Sequence, residues 1–244
     1  MAQRKTIENP LPDVEIPSFY SPAYKEVFEK DRIPNLENDG QPSRFQTEVL
    51  RTINANREDL ERLNKVKKTA MAYEGRNVGL TQVHDEAEET NKRIYRRSSE
   101  LETKLHNYKN SLQEQIQSEL TETAARNRHE HSIQSYMLNK LKDRPDRLSF
   151  VRQAIKAGDT NTVTAVTECP HYLSGLEPED LKNLRNQFIA EKYPKQNLVI
   201  EKIGKLAEHV GRGYQATIHN LEVLDTPEVK QAIALREAAK KAKE

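Results

Sequence analysis

The chain has 244 residues, of which 39 are Lys or Arg and 38 Asp or Glu, giving a net charge of +1; 35% are hydrophobic, 32% are charged and the mean hydropathy is −0.91. So polar a composition excludes one large compact core and suits elongated helices that bury a narrow stripe. The near-zero net charge excludes a global field that would hold nucleic acid or an anionic membrane against salt, and the single cysteine, Cys169, excludes an internal disulfide framework.

From Met1 the chain runs through Ala2, Gln3, Arg4, Lys5 and Thr6 into Pro-rich sequence, with no apolar run or cleavage signal. A cytoplasmic protein without a membrane span is expected. The eleven prolines divide the chain: six fall in the first 42 residues, none in 43–144 and five beyond. Residues 1–42 therefore form an extended arm, because each proline removes a backbone donor and restricts its predecessor. Phe19, Tyr20, Tyr24 and Phe28 cluster in this arm. Two readings are open: a docking arm whose aromatics enter a partner's pocket, or an arm folded back along the protein's own helices.

Residues 43–144 read as long coiled-coil-like helices with a break at 75–79, bracketed by Gly75 and Gly79. Before the break, Val49, Ile53, Leu60, Leu63 and Ala70 lie close to a three-four spacing, with Asn56 in the seam; after it come Leu80, Val83, Ala87, Thr90 and Ile94. The seam continues through Ser98, Leu101, Leu105, Tyr108, Leu112, Ile116 and Leu120, with two stutters. A helix from 80 to 143 would be about 95 Å long. A helix of that polarity needs a partner, supplied either by residues 43–74 folding back as a hairpin or by identical chains in a parallel bundle.

Residues 145–244 read as a small helical domain with a basic tail. Asp143 to Asp146 end the long helix; Leu148, Val151 and Ile155 mark a helix closed by Gly158; Asp159 caps the next, with Val163 and Val166, which stops at Cys169 and Pro170. Pro178 begins a third, with Leu181, Leu184, Phe188 and Ile189 inward and Tyr193 and Pro194 at its end. A fourth carries the seam Val199, Ile203, Leu206, Val210, Gly213 or Tyr214, Thr217, Leu221 and Leu224. Gly204, Ala207 and Gly211 form a small-residue strip beside it, which points to a close helix crossing because helix-interior glycine costs about 1 kcal/mol. The last helix has Thr226 as cap and Pro227 at its first position.

The chemistry-bearing residues do not assemble into a site. His129 and His131 stand two apart, and on a helix such side chains point about 200° from one another, so the pair reads as a solvated face. Cys169 and His171 lack an orienting partner and an oxyanion loop. Gly211 and Gly213 follow no strand and precede no phosphate-loop lysine. The basic residues Lys230, Arg236, Lys240, Lys241 and Lys243 could touch nucleic acid, but they also suit a helix C-terminus. No enzyme activity, cofactor or metal is expected.

The run from Ala165 through Cys169, Pro170, Tyr172, Leu173, Ser174, Gly175 and Leu176, then Pro178 and a helix ending at Lys192, Tyr193 and Pro194, resembles helical proteins encoded in bacteriophage and prophage structural gene regions. The resemblance covers residues 147–196 and supplies no catalytic residues. It implies a virion or procapsid component: scaffold-like, internal head or neck/tail-associated. Physically, Tyr172, Leu173 and Leu176 would plug a tight turn at Gly175.

The expectation is thus an all-α, homo-oligomeric assembly protein that binds the subunits of a larger structure, whether capsid, portal or tail, and that resides in the cytoplasm during assembly and then in the virion. Its contact candidates are Phe19, Tyr20, Tyr24, Phe28, Leu101, Leu105, Leu112, Tyr172, Leu173, Leu176, Ile203, Gly204 and Gly211. The competing expectation is a nucleic-acid-associated regulator using the basic tail.

Overall fold

A computed structural model describes residues 11–21, 33–36, 43–73 and 75–242, and among these every regular element is helical. After a 3₁₀ turn at Ser18–Tyr20 come α1 (Arg44–Tyr73), α2 (Arg76–Ala125), α3 (Glu130–Lys140), α4 (Arg144–Lys156), α5 (Thr160–Thr167), α6 (His171–Ser174), α7 (Pro178–Lys192), α8 (Pro194–Glu222) and α9 (Pro227–Lys241). The chain divides into two units, one of residues 1–106 and 204–244 and the other of 107–203, so α2 and α8 each contribute to both. This division cuts across the three regions marked by proline, because a continuous helix can serve two cores without any break in its sequence.

In the first unit, the stripe of α1 is buried as its spacing predicts, from Val49 through Ile53, Asn56, Leu60 and Leu63 to Ala70, and so is that of α2 through Leu80, Val83, Thr90, Ile94, Ser98, Leu101 and Leu105. The cross-links fix their direction. Lys104 Nζ lies 3.3 Å from Glu48, Asn56 Nδ2 donates to Ser98 Oγ at 3.3 Å, and Arg62 lies 3.5 Å from Glu86. Partners rise along one helix as they fall along the other, so the two are antiparallel and the hairpin alternative holds. The hairpin is clasped by Asp59, nearly buried, which takes Arg62 at 2.7 Å, Arg93 at 3.3 Å and also Arg97. A buried carboxylate of this kind is tolerated only when paired, so the clasp ties the register of α1 to that of α2. The C-terminal part of α8 runs antiparallel to α2, with the Tyr214 ring tilted at 46° against that of Tyr95, centroids 5.3 Å apart, and Gly211 near Glu102, and α9 adds Val229 and Ala232 to the buried set.

Two boundaries differ from the sequence expectation. The second helix already begins at Arg76, so Gly79 lies inside α2, where its missing side chain admits the end of α1: a Cβ there would sit 2.7 Å from the Ala70 carbonyl oxygen. Replacing Gly79 by Ala gains about 1 kcal/mol of helix propensity but forces backbone apart at a typical cost of about 1–3 kcal/mol. Urea unfolding should show G79A less stable than the wild type, whereas G75A, whose Cβ meets nothing within 4 Å, should shift stability by less than about 0.5 kcal/mol.

The long helix also ends at Ala125 rather than near 143. Neither Gly nor Pro marks the stop. Instead Asn127 makes it: its Oδ1 accepts from His129 N at 3.0 Å, satisfying a backbone group that a continued helix would otherwise bond, and its amide donates to Asn161 O of α5 at 2.7 Å.

The second unit surrounds one apolar core made by Ile116 and Leu120 of α2, Met137 of α3, Val151 and Ile155 of α4, Val163 and Val166 of α5, Leu181, Leu184 and Phe188 of α7, and Tyr193. Its helix starts are those expected: Asp143 accepts from Asp146 N at 2.9 Å and Asp159 from Thr162 N at 3.1 Å, while Pro178 opens α7 behind a Glu177–Asp180 capping box. In the first unit, Thr226 likewise accepts from Val229 N at the start of α9.

Candidate functional site

The described part of the arm lies on its own unit, and polar side chains of α1 and α8 read its backbone. Asn64 of α1 grips Val14 from both sides, accepting from Val14 N at 3.0 Å and donating to Val14 O at 2.9 Å. Lys67, one helical step further along the α1 seam and 1% exposed, donates to Leu11 O at 3.2 Å and Pro12 O at 2.8 Å and pairs with the Asp13 carboxylate. From α8, Asn220 donates to Glu15 O at 2.8 Å. Leu11, Val14 and Ile33 are buried.

Pro17 then turns the chain into the 3₁₀ segment, with Tyr20 N donating back to Pro17 O at 2.9 Å, and this drives the Tyr20 ring between helices. Its hydroxyl accepts from Asn56 Nδ2 at 3.3 Å and stands 3.3 Å from Thr217 Oγ1; burial pushes its pKa up. Phe19 meets the His209 ring at 5.6 Å, and the two aromatics pack on Gly213, where a Cβ would lie 3.3 Å from the Tyr20 ring. A cavity of about 20 Å³ remains among Tyr20, Ile53, Asn56, Ser98 and Leu206, with room for one water.

The Lys67 ammonium beside Asp13 holds that carboxyl below its ordinary value. A carboxyl depressed in the folded chain stabilises the fold at pH values above its unfolded pKa, near 4, and that contribution is lost as pH falls through the lower folded value. The Val14 and Asn64 amide resonances should therefore shift together on acidification below about pH 4, and D13N should abolish the shift.

The contact candidates separate accordingly. Tyr20, 4% exposed, fills a pocket of its own chain rather than a partner's, and Phe19 lines the same pocket; Tyr24 and Phe28 lie outside the described residues. Leu101, Leu105, Leu112, Leu176 and Ile203 are buried within the chain, because a seam that reads as an intermolecular stripe is met by other helices of the same protein. Gly204 and Gly211 are half-buried, and at Gly211 the nearest atom to a Cβ is Glu102 Oε1 at 3.8 Å, an ordinary contact instead of the close crossing expected.

At the corner in the second unit, Gly175 adopts φ 65° and ends α6. Arg147 gathers carbonyls left over at two helix ends, Met137 O at 3.2 Å in the last turn of α3 and Leu141 O at 3.3 Å just after it, and Gly175 O at 2.9 Å. Arg144 grips Asp180 through two bonds of 2.7 and 2.8 Å and holds its carboxyl below the usual range. The expected plug is only part of this corner: Leu176 is buried and Leu173 half-buried, but Tyr172 is 67% exposed, because α6 is a single turn whose other side faces away from the core. Leu138 of α3 reaches over the same corner and is itself 40% exposed.

The remaining chemistry is dispersed. The Cys169 thiol donates to Val166 O at 3.2 Å, and burial, aided by Glu130, pushes its pKa up, which disfavours a thiolate nucleophile. His129 and His131 are exposed, and among the described residues no group of three or more His, Cys, Asp or Glu could hold a metal ion. Arg236 is engaged with Asp85, and Lys230 with Asp225 at 3.0 Å, leaving Lys240 and Lys241 exposed on α9. No helix of the described residues is long and apolar enough to cross a membrane.

Lys67 and Asn64 are the residues that sequence reasoning missed. The signal was present at Lys67: it fills the step between Leu63 and Ala70 in a seam otherwise apolar apart from Asn56, and a lysine there asks for buried acceptors. A scan against protein-family models, a search of curated proteins and a search of solved structures each found no match.

Proposed function

We propose that this chain is a non-enzymatic assembly protein, homo-oligomeric, acting as a scaffold-like, internal head or neck/tail-associated component of a bacteriophage virion or procapsid, with the cytoplasm as its site of assembly. The observation that carries the assembly reading is the apolar surface left uncovered at the Gly175 corner, where Tyr172 and Leu138 are exposed. The phage assignment rests on the resemblance of residues 147–196, which span most of the second unit's core.

In this reading the long helices supply the frame, and the α3–α6 corner presents an aromatic anchor to a neighbouring subunit. Light scattering of the purified chain tests it. A mass at a multiple of 28.2 kDa that falls towards the monomer in Y172D is expected. A monomer at every concentration, with Y172D indistinguishable from it, would overturn the reading.

A further inference from the structure

We infer that the surface of α1 and α8 beneath the arm is a peptide-recognition site, and that residues 11–21 of a second copy of this chain can occupy it in place of the chain's own. The inference rests on the homo-oligomer proposed above.

The surface is built for that one segment. Its polar groups, buried at Lys67, Asn56 and Thr217 and half-buried at Asn64 and Asn220, are matched to successive positions of the arm: Lys67 to Leu11, Pro12 and Asp13, Asn64 to Val14, Asn220 to Glu15, and Asn56 and Thr217 to Tyr20. An uncovered surface would open to water the cleft between Ile53 and Leu206 where the Tyr20 ring now sits, so apolar burial favours an occupant, and Lys67, hydrated when uncovered, selects one whose acceptors replace its water. Every one of these bonds joins residues at least 36 positions apart in sequence, and none depends on the chain continuing directly from arm to helix. The same bonds therefore form whichever copy supplies the arm, and the tether alone sets the balance.

Eleven residues separate Ser21 from Ile33, which is again buried. A segment of that length spans at most about 40 Å, which bounds how far away the accepting surface of a second copy can lie. A short tether gives the arm an effective concentration on the order of millimolar at its own site, so the chain keeps its arm when dilute and exchanges it when copies are held side by side in an assembly.

The test uses the full chain with Cys169 replaced by Ser. Lys68, exposed on α1, contributes to the charge around Asp13, and Pro12 is exposed on the arm and meets Lys67 through its backbone carbonyl alone, so P12C and K68C place thiols at the two sides of the contact and remove no hydrogen-bonding group of the latch. A chain carrying both should cross-link internally with a short bismaleimide. When P12C chains are mixed with affinity-tagged K68C chains, exchange yields a tagged heterodimer whose fraction of the chains rises about tenfold for a tenfold rise in concentration while the tether still dominates. Internal cross-linking without the heterodimer, in a sample that light scattering shows to be oligomeric, would overturn the exchange and leave the assembly reading standing. The same result in a monomeric sample would sink both, and failure of the internal cross-link would show that the arm does not recognise this surface.

Discussion

Replacing Tyr20 by Ala is expected to destabilise the first unit by about 3–5 kcal/mol, the cost typical of truncating a buried aromatic. The ring is 4% exposed and fills the space between Ile53 on α1, Leu101 on α2 and Leu206 on α8, so its loss opens a cavity that three helices must either tolerate or collapse. Tyr20→Phe separates packing from hydrogen bonding. It keeps the ring and removes only the hydroxyl; Asn56 Nδ2 retains Ser98 Oγ and Thr217 Oγ1 retains Gly213 O at 2.9 Å, so a loss of about 1 kcal/mol is expected. Urea unfolding followed by circular dichroism measures both. If Y20A unfolds at the wild-type midpoint, the arm contributes nothing to the helices it covers.

That contrast also explains why the arm was harder to read than the helices beneath it. Val49 to Ala70 and Leu80 to Leu105 announce their buried faces by spacing alone, since a helix must turn one stripe inward to gain from burial. Caps are equally local: Asp143, Asp159, Pro178 and Thr226 stand where the helix starts are, because the groups they satisfy lie within one turn. The arm is different. Whether Tyr20 enters a partner or its own chain depends on Asn56 and Thr217, 36 and 197 residues away, and no short-range pattern carries that information. The end of α2 at Ala125 is similar, being made by Asn127 reaching Asn161.

The candidate site was legible in part for the same reason. Polar residues in a seam, Asn56, Thr90 and Ser98, read from the sequence as weak points of a coiled coil. Two of the three instead join a buried hydrogen-bonded set: Asn56 bonds Tyr20 and Ser98, while Lys67 at another seam position serves the backbone of residues 11 and 12. A polar side chain in a seam thus calls for a matching group from whatever packs over it, and for Asn56 and Lys67 the arm supplies it.

Ile203→Asp should unfold the chain at neutral pH and partly recover it in acid. Ile203 is fully buried in the α8 seam, so the substitution first forfeits about 2–3 kcal/mol of apolar burial. It then places a carboxylate where ionisation is opposed by desolvation, which raises the pKa of a buried acid by up to about 3–5 units, or roughly 4 kcal/mol at the lower end. The sum rivals the whole stability of an ordinary domain, about 5–15 kcal/mol. The sign with pH is opposite to that at Asp13. A carboxyl whose folded pKa lies above its unfolded value near 4 penalises folding at pH above that value, and the penalty fades as pH drops through the raised folded pKa towards the unfolded one. Helicity of I203D should therefore rise between pH 7 and about 4, while the packing loss persists, and I203V should cost only about 0.5–1.5 kcal/mol with no such dependence. Helicity of I203D equal to the wild type at pH 7 would show that α8 can turn residue 203 to water, and the seam that runs from Val199 to Thr217 would no longer account for how α8 is held.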